Sequence, residues 1–177
     1  LTLQENHDEF EKLISLYLNA RILMKKGLFS DAFEYSKKAE TKSLETESFL
    51  LAMMAKKQRL RIASKTKAHY SKEVVENFYM EARETIAKET EIIDYLYHHH
   101  LMYLKTSFAG ASRDEKVLKE NKDGALDFFL KENYSFKSTI AENLKSSSLA
   151  QYYHYKGDFL KSFQEFQKSM ALLDRLK

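Results

Sequence analysis

The sequence has no cysteine and no proline, and only four glycines among its 177 residues. Without cysteine there is no disulfide framework, no thiolate nucleophile and no cysteine metal site. Without proline, and with glycine so scarce, little interrupts a helix. Hydrophobic residues at 44% and charged residues at 31%, with Ala, Leu, Lys and Glu prominent, suit long helices and exclude a sheet. Phosphate-binding loops need glycines in series, and a nucleophile elbow needs Gly-x-Ser-x-Gly; neither occurs. No apolar run approaches the roughly 18 residues of a membrane span, and the first residues form no signal peptide, so the expected location is cytoplasmic. The formal charge of +3 is too small to imply a nucleic-acid partner by itself. The chain opens at Leu1 without a methionine, as a piece of a longer protein would.

Two stretches are built alike. Leu16 to Ala39 turns at Gly27-Leu-Phe-Ser-Asp-Ala32, and Ser146 to Ser169 turns at Gly157-Asp-Phe-Leu-Lys-Ser162. In each, an amphipathic helix ends at glycine, an aromatic follows two residues on, and a small residue stands three further along. Glycine takes the left-handed conformation that stops the first helix. The aromatic fills the corner, and the small residue lets the second helix lie close. This is a helical hairpin, used twice.

These residues resemble the tetratricopeptide repeat. In the second stretch Leu149-Ala150, Tyr153, Ser162 and Phe166 stand at the repeat's spacing; in the first, Ala20, Leu23, Ala32 and Ala39 do. The pattern departs at Leu16 and Ser146 (for an aromatic), Asn19 (for leucine), Ser36 (for an aromatic) and in the missing proline. The resemblance implies an all-α fold over residues 1–177, a right-handed array of antiparallel helix hairpins. Gly27 and Gly157 are 130 residues apart (157 less 27). Three steps of about 43 residues exceed the roughly 34 of the repeat, so the middle helices are expected to be elongated.

Along the chain, the apolar period predicts a first helix from about His7 to Lys26. A second starts near the Ser30-Asp31 cap and ends before Ser43. A third runs Leu44 to Lys67, its first half buried and its basic second half projecting from the body. Ser71 caps a fourth helix, and a turn is placed near Lys88–Glu91, with one unbroken helix to Phe108 as the alternative. The fifth stops at Ala109-Gly110. A capping box at Ser112–Glu115 opens a short polar helix, and a second short helix carries Leu126, Phe128, Phe129 and Leu130. The last hairpin sets Phe136–Lys156 against Asp158–Leu176, and eight or nine helices are expected in all.

No catalytic, metal or cofactor site is expected. His98, His99 and His100 are rotated by about 100° from one another on a helix and cannot converge on one ion. Carboxylates alternate with lysines, as on a solvated surface. Lys56, Lys57, Arg59, Arg61, Lys65 and Lys67 form a basic run, with no acid between Glu47 and Glu73. An antiparallel fourth helix would bring Glu73, Glu76 and Glu81 alongside it, which argues against direct nucleic-acid binding.

In tetratricopeptide-like proteins the first helix of each pair lines a groove for peptides. That resemblance selects Tyr17, Arg21, Met24 and Lys25 in the first hairpin and Gln151, His154 and Tyr155 in the last, with Tyr153 turned to the hairpin core. The expected function is a protein- or peptide-binding module, a scaffold or sensor segment. A ligand with a carboxylate beside an apolar side chain would suit Arg21. The alternatives are the sensor domain of a nucleic-acid-linked regulator and a purely structural or self-associating domain, and a homo-oligomer is compatible with either.

Overall fold

The computed structural model describes residues 3–66, 70–108, 124–131 and 135–176. Among them are seven α-helices and no strand: α1 (Leu3–Lys25), α2 (Phe29–Glu45), α3 (Phe49–Thr66), α4 (Lys72–Phe108), α5 (Gly124–Leu130), α6 (Thr139–Lys156) and α7 (Phe159–Asp174). The all-α class follows from the composition, and helices joined by short corners pack as antiparallel neighbours. The chain forms two compact units, Leu1–Glu89 and Thr90–Lys177, and α4 contributes its first half to one and its second half to the other. The Lys67 end of the third helix, the Ala109-Gly110 stop and the Ser112–Glu115 capping box lie outside the described residues.

Both glycines take the left-handed turn that the sequence predicts, but in the second corner the aromatic does not fill the bend, since Phe159 is 60% exposed. Gly27 and Gly157 have φ of 77° and 81°. The Gly157 N–H donates to the His154 carbonyl at 3.0 Å and the Asp158 N–H to Tyr153 at 2.9 Å, which satisfies carbonyls that a helix end leaves open. The first corner repeats this with Gly27 on Met24 and Leu28 on Leu23. The helices that follow begin one residue after Leu28 and Asp158. The N-cap of α2 is therefore Leu28, which offers no side-chain bond, and not the Ser30-Asp31 pair; in α7, Asp158 Oδ1 does accept from the Lys161 N–H.

A third corner of the same kind lies where the sequence reading placed the start of a helix. α2 continues to Glu45 and α3 starts at Phe49, with Glu47 at φ 53°. The Glu47 N–H donates to Leu44 and the Ser48 N–H to Ser43, the hydrogen-bond pattern of the glycine corners. Phe49 is again two residues past the turn, and buried Ala52 is three further along.

In the first unit, α2 lies between α1 and α3. Ala32, Ser36, Ala39 and Ser43 recur at helical spacing, and all are fully buried. Such small residues bring helix backbones close, and the Ser36 hydroxyl donates to the Ala55 carbonyl across 3.0 Å. Ser71 caps α4 through the Val74 N–H, as expected, and Phe78 and Ala82 pack on Met53 and Leu60 of α3.

Residues 72–108 form one helix. The run Lys88-Glu89-Thr90-Glu91 contains no residue that stops a helix. The polar Glu91 is buried there because its carboxylate accepts the Lys137 backbone N–H at 2.9 Å. The core of the second unit gathers Tyr95 and Met102 of α4, Leu126 and Phe129 of α5, and Ala141 and Leu149 of α6. Ser138 is the N-cap of α6, and its hydroxyl accepts from the Ala141 N–H.

Candidate functional site

The basic half of α3 does not project. Lys56, Gln58, Ile62 and Ala63 are buried. Lys56 Nζ lies 3.3 Å from Glu40 Oε1 and also contacts Glu81, and Arg59 Nε lies 2.9 Å from Glu40 Oε2. Glu81 reaches the run from α4, as anticipated; Glu40 of α2 was not anticipated, and Glu76 pairs with Lys72. A hollow of about 300 Å³ beside this cluster is lined by Phe33, Leu60 and Phe78 together with the paired charges. Lys57, Arg61 and Lys65 remain exposed.

The three histidines point to separate tasks. His98 stacks on Phe128 with ring centroids 3.9 Å apart. His99 Nδ1 lies 2.8 Å from Ser148 Oγ. Because the Ser148 hydroxyl donates its proton to the Leu144 carbonyl, His99 must be the donor in that contact. Burial holds both imidazoles below the usual histidine range, reinforced at His99 by neighbouring His100; at His98, Asp94 acts in the opposite sense and Lys131 in the same. Among the described residues no three His, Asp or Glu side chains come together in a metal-binding group.

In the first unit the candidate groove residues occupy the end of α1. Arg21 and Lys25 are exposed, Tyr17 and Met24 half-buried, and the Arg21 guanidinium sits 5.9 Å from the centre of the Tyr17 ring. In the second unit Gln151, His154 and Tyr155 are brought together in the lining of a groove of about 600 Å³. α7 supplies Phe159, Phe163 and Phe166 to the same groove, and α4 supplies Tyr103 and Thr106.

His154 and Tyr155 serve it differently. His154 is exposed and its ring meets Phe159 edge to face. Tyr155, expected on the open surface, is 7% exposed and forms part of the floor, its hydroxyl buried without a hydrogen-bond partner. Tyr153, expected in the hairpin core, is half-buried and packs against the core of the second unit, with Lys161 Nζ 5.4 Å from its ring centre.

The aromatic residues of α7 were missed as site residues. Phe159, Phe163 and Phe166 are 60%, 58% and 55% exposed, although each belongs to an otherwise amphipathic helix. Leu160, Met170 and Leu173 extend the exposed apolar face. The opposite side of α7 packs on α6: the Ser162 hydroxyl donates to the Ala150 carbonyl, and Asn143 Nδ2 donates to the Ser169 carbonyl. The signal in the sequence is spacing. Ser162 and Ser169 mark one face of α7, while Phe159, Phe163, Phe166, Met170 and Leu173 recur at alternating steps of four and three on another.

Comparison with protein-family models, with curated proteins and with solved structures finds no match to this chain. Among the described residues no helix is long and apolar enough to cross a membrane.

Proposed function

We propose that the chain is a tetratricopeptide-like, non-catalytic module that binds a protein or peptide, with the groove of the second unit as its docking surface. The observation that carries this reading is the exposed row Phe159, Phe163 and Phe166 along a groove of about 600 Å³. Neighbouring large apolar side chains left in water mark an interaction surface more often than chance does, and aromatic anchors in a concavity supply most of the energy at such surfaces. The exposed imidazole of His154 and the half-buried amide of Gln151 give the groove polar contacts beside its aromatic wall.

Selection from a random peptide library tests this. Enriched peptides should carry apolar residues at helical spacing, and their binding should be lost in Phe163→Glu and kept in Arg61→Glu. Binders indifferent to Phe163→Glu, or no enrichment at all, would contradict the reading.

A further inference from the structure

The two glycine hairpins can be superposed residue for residue by the offset of 130 between Gly27 and Gly157. Ala32 then corresponds to Ser162 and Ala39 to Ser169, the positions that face the preceding helix. The other face of the second helix differs in a telling way. In α2 it carries Phe33, Ser36, Glu40 and Ser43, and α3 lies over it: Ser36 bonds to Ala55, and Glu40 pairs with Lys56 and Arg59. In α7 the same four positions are Phe163, Phe166, Met170 and Leu173, and all four are exposed. Where α2 is covered by an antiparallel helix, α7 has a more apolar face and no described helix upon it.

We propose that this face of α7 is covered by a second copy of the chain, α7 against α7, antiparallel about a two-fold axis at Phe166. The inference rests on the reading of this face as a docking surface and names its occupant. The row is its own complement. With Phe166 on the axis against its counterpart, Phe163 of one copy meets Met170 of the other, and Phe159 meets Leu173, as an isologous interface requires. The steps of four and three are those of two helices packed side by side.

Along one margin of the row Leu160, Gln164, Gln167 and Ala171 are exposed and uncharged, and exposed Asp174 stands on the same margin at the end of the helix. Lys161 and Lys168 turn to Asp158 and Glu142 instead. The six exposed apolar side chains present roughly 600 Å² per copy, so two copies bury at most about 1,200 Å², the lower edge of specific interfaces. The dimer is therefore weak and depends on concentration.

Sedimentation equilibrium from about 1 to 500 µM provides the test, a range that brackets the affinity expected of so small an interface. The wild-type mass should rise toward twice that of the chain. Phe166→Glu, which sets two carboxylates together on the axis, should stay monomeric with an unchanged melting curve. Register is tested by mixing. Phe163→Glu and Met170→Lys should each be monomeric alone and should associate with each other, because residue 163 of one copy meets residue 170 of the other.

A wild type that stays monomeric across the range overturns the second copy, as does a dimer indifferent to Phe166→Glu. If that monomer still binds library peptides through Phe163, only the occupant is wrong; if it binds none, the docking surface falls as well.

Discussion

The ammonium of Lys56 lies 3.3 Å from the carboxylate of Glu40, and fewer than a tenth of either side chain's atoms' surface is open to water. Removing one member strands the other as a buried charge, which typically costs about 3–5 kcal/mol. Lys56→Met should therefore lower the free energy of unfolding in urea by an amount of this order. Arg59, which also reaches Glu40, reduces the penalty toward the lower end. The double variant Lys56→Met/Glu40→Met should recover part of the loss. A single variant as stable as the wild type would show that the pair contributes little.

Glu47 occupies a left-handed conformation that the other two corners give to glycine. A side chain there costs roughly 1–2 kcal/mol relative to glycine. Glu47→Gly should raise stability by about 1 kcal/mol, once the greater freedom of glycine in the unfolded chain is set against it. Thermal unfolding measures this directly, and a less stable variant would mean that the glutamate side chain contributes contacts worth more than the strain.

That corner also explains what could be read in the sequence. The first and last hairpins were legible because a glycine stands at each turn, with an aromatic two residues on. The turn between α2 and α3 keeps the aromatic, Phe49, and the small residue, Ala52, but has glutamate in the glycine's place, so the residues appeared to continue a helix. The unbroken α4 was only half legible: Glu89 interrupts the apolar period, and the bond from Lys137 that shelters neighbouring Glu91 comes from 46 positions away. Gln151, His154 and Tyr155 were picked out by their phase in α6, although Tyr155 proves buried. The phenylalanines of α7 were not, because burial by a neighbouring helix is a tertiary fact that periodicity does not contain.

Burial depresses the titration of His98 and His99, whose ordinary value is 6.5. The folded state therefore favours the neutral rings. Stability is complete above the unfolded value and is lost as pH falls through 6.5 toward the folded values, because the unfolded chain takes up protons first. Melting temperature should fall across this window. His99→Gln, which can still donate to Ser148, should flatten part of the slope. A His99→Gln variant with an unaltered slope would remove that histidine from the linkage.

Ala20 and Ala32 are fully buried in the first hairpin, whereas Arg21 beside them is exposed. Leucine at either alanine should destabilise by about 1–3 kcal/mol through overpacking. Arg21→Glu should change stability by no more than about 0.5 kcal/mol, the usual range for surface positions. Chemical denaturation of the three variants separates the packed side of α1 from its open side. Leucine variants that unfold like the wild type would undo the assigned register of α1 on α2.

Whether another helix covers the outward face of α7 is measured most directly by photo-crosslinking. A benzophenone amino acid is placed at Phe163 or Phe166, with Lys37, an exposed position of α2, as the comparison. Illumination at high protein concentration should give a product of twice the chain mass from positions 163 and 166 and none from position 37. The bond from position 163 should map near residue 170 of the other chain. Only monomer from both α7 positions, or equal yield from position 37, would contradict the covered face.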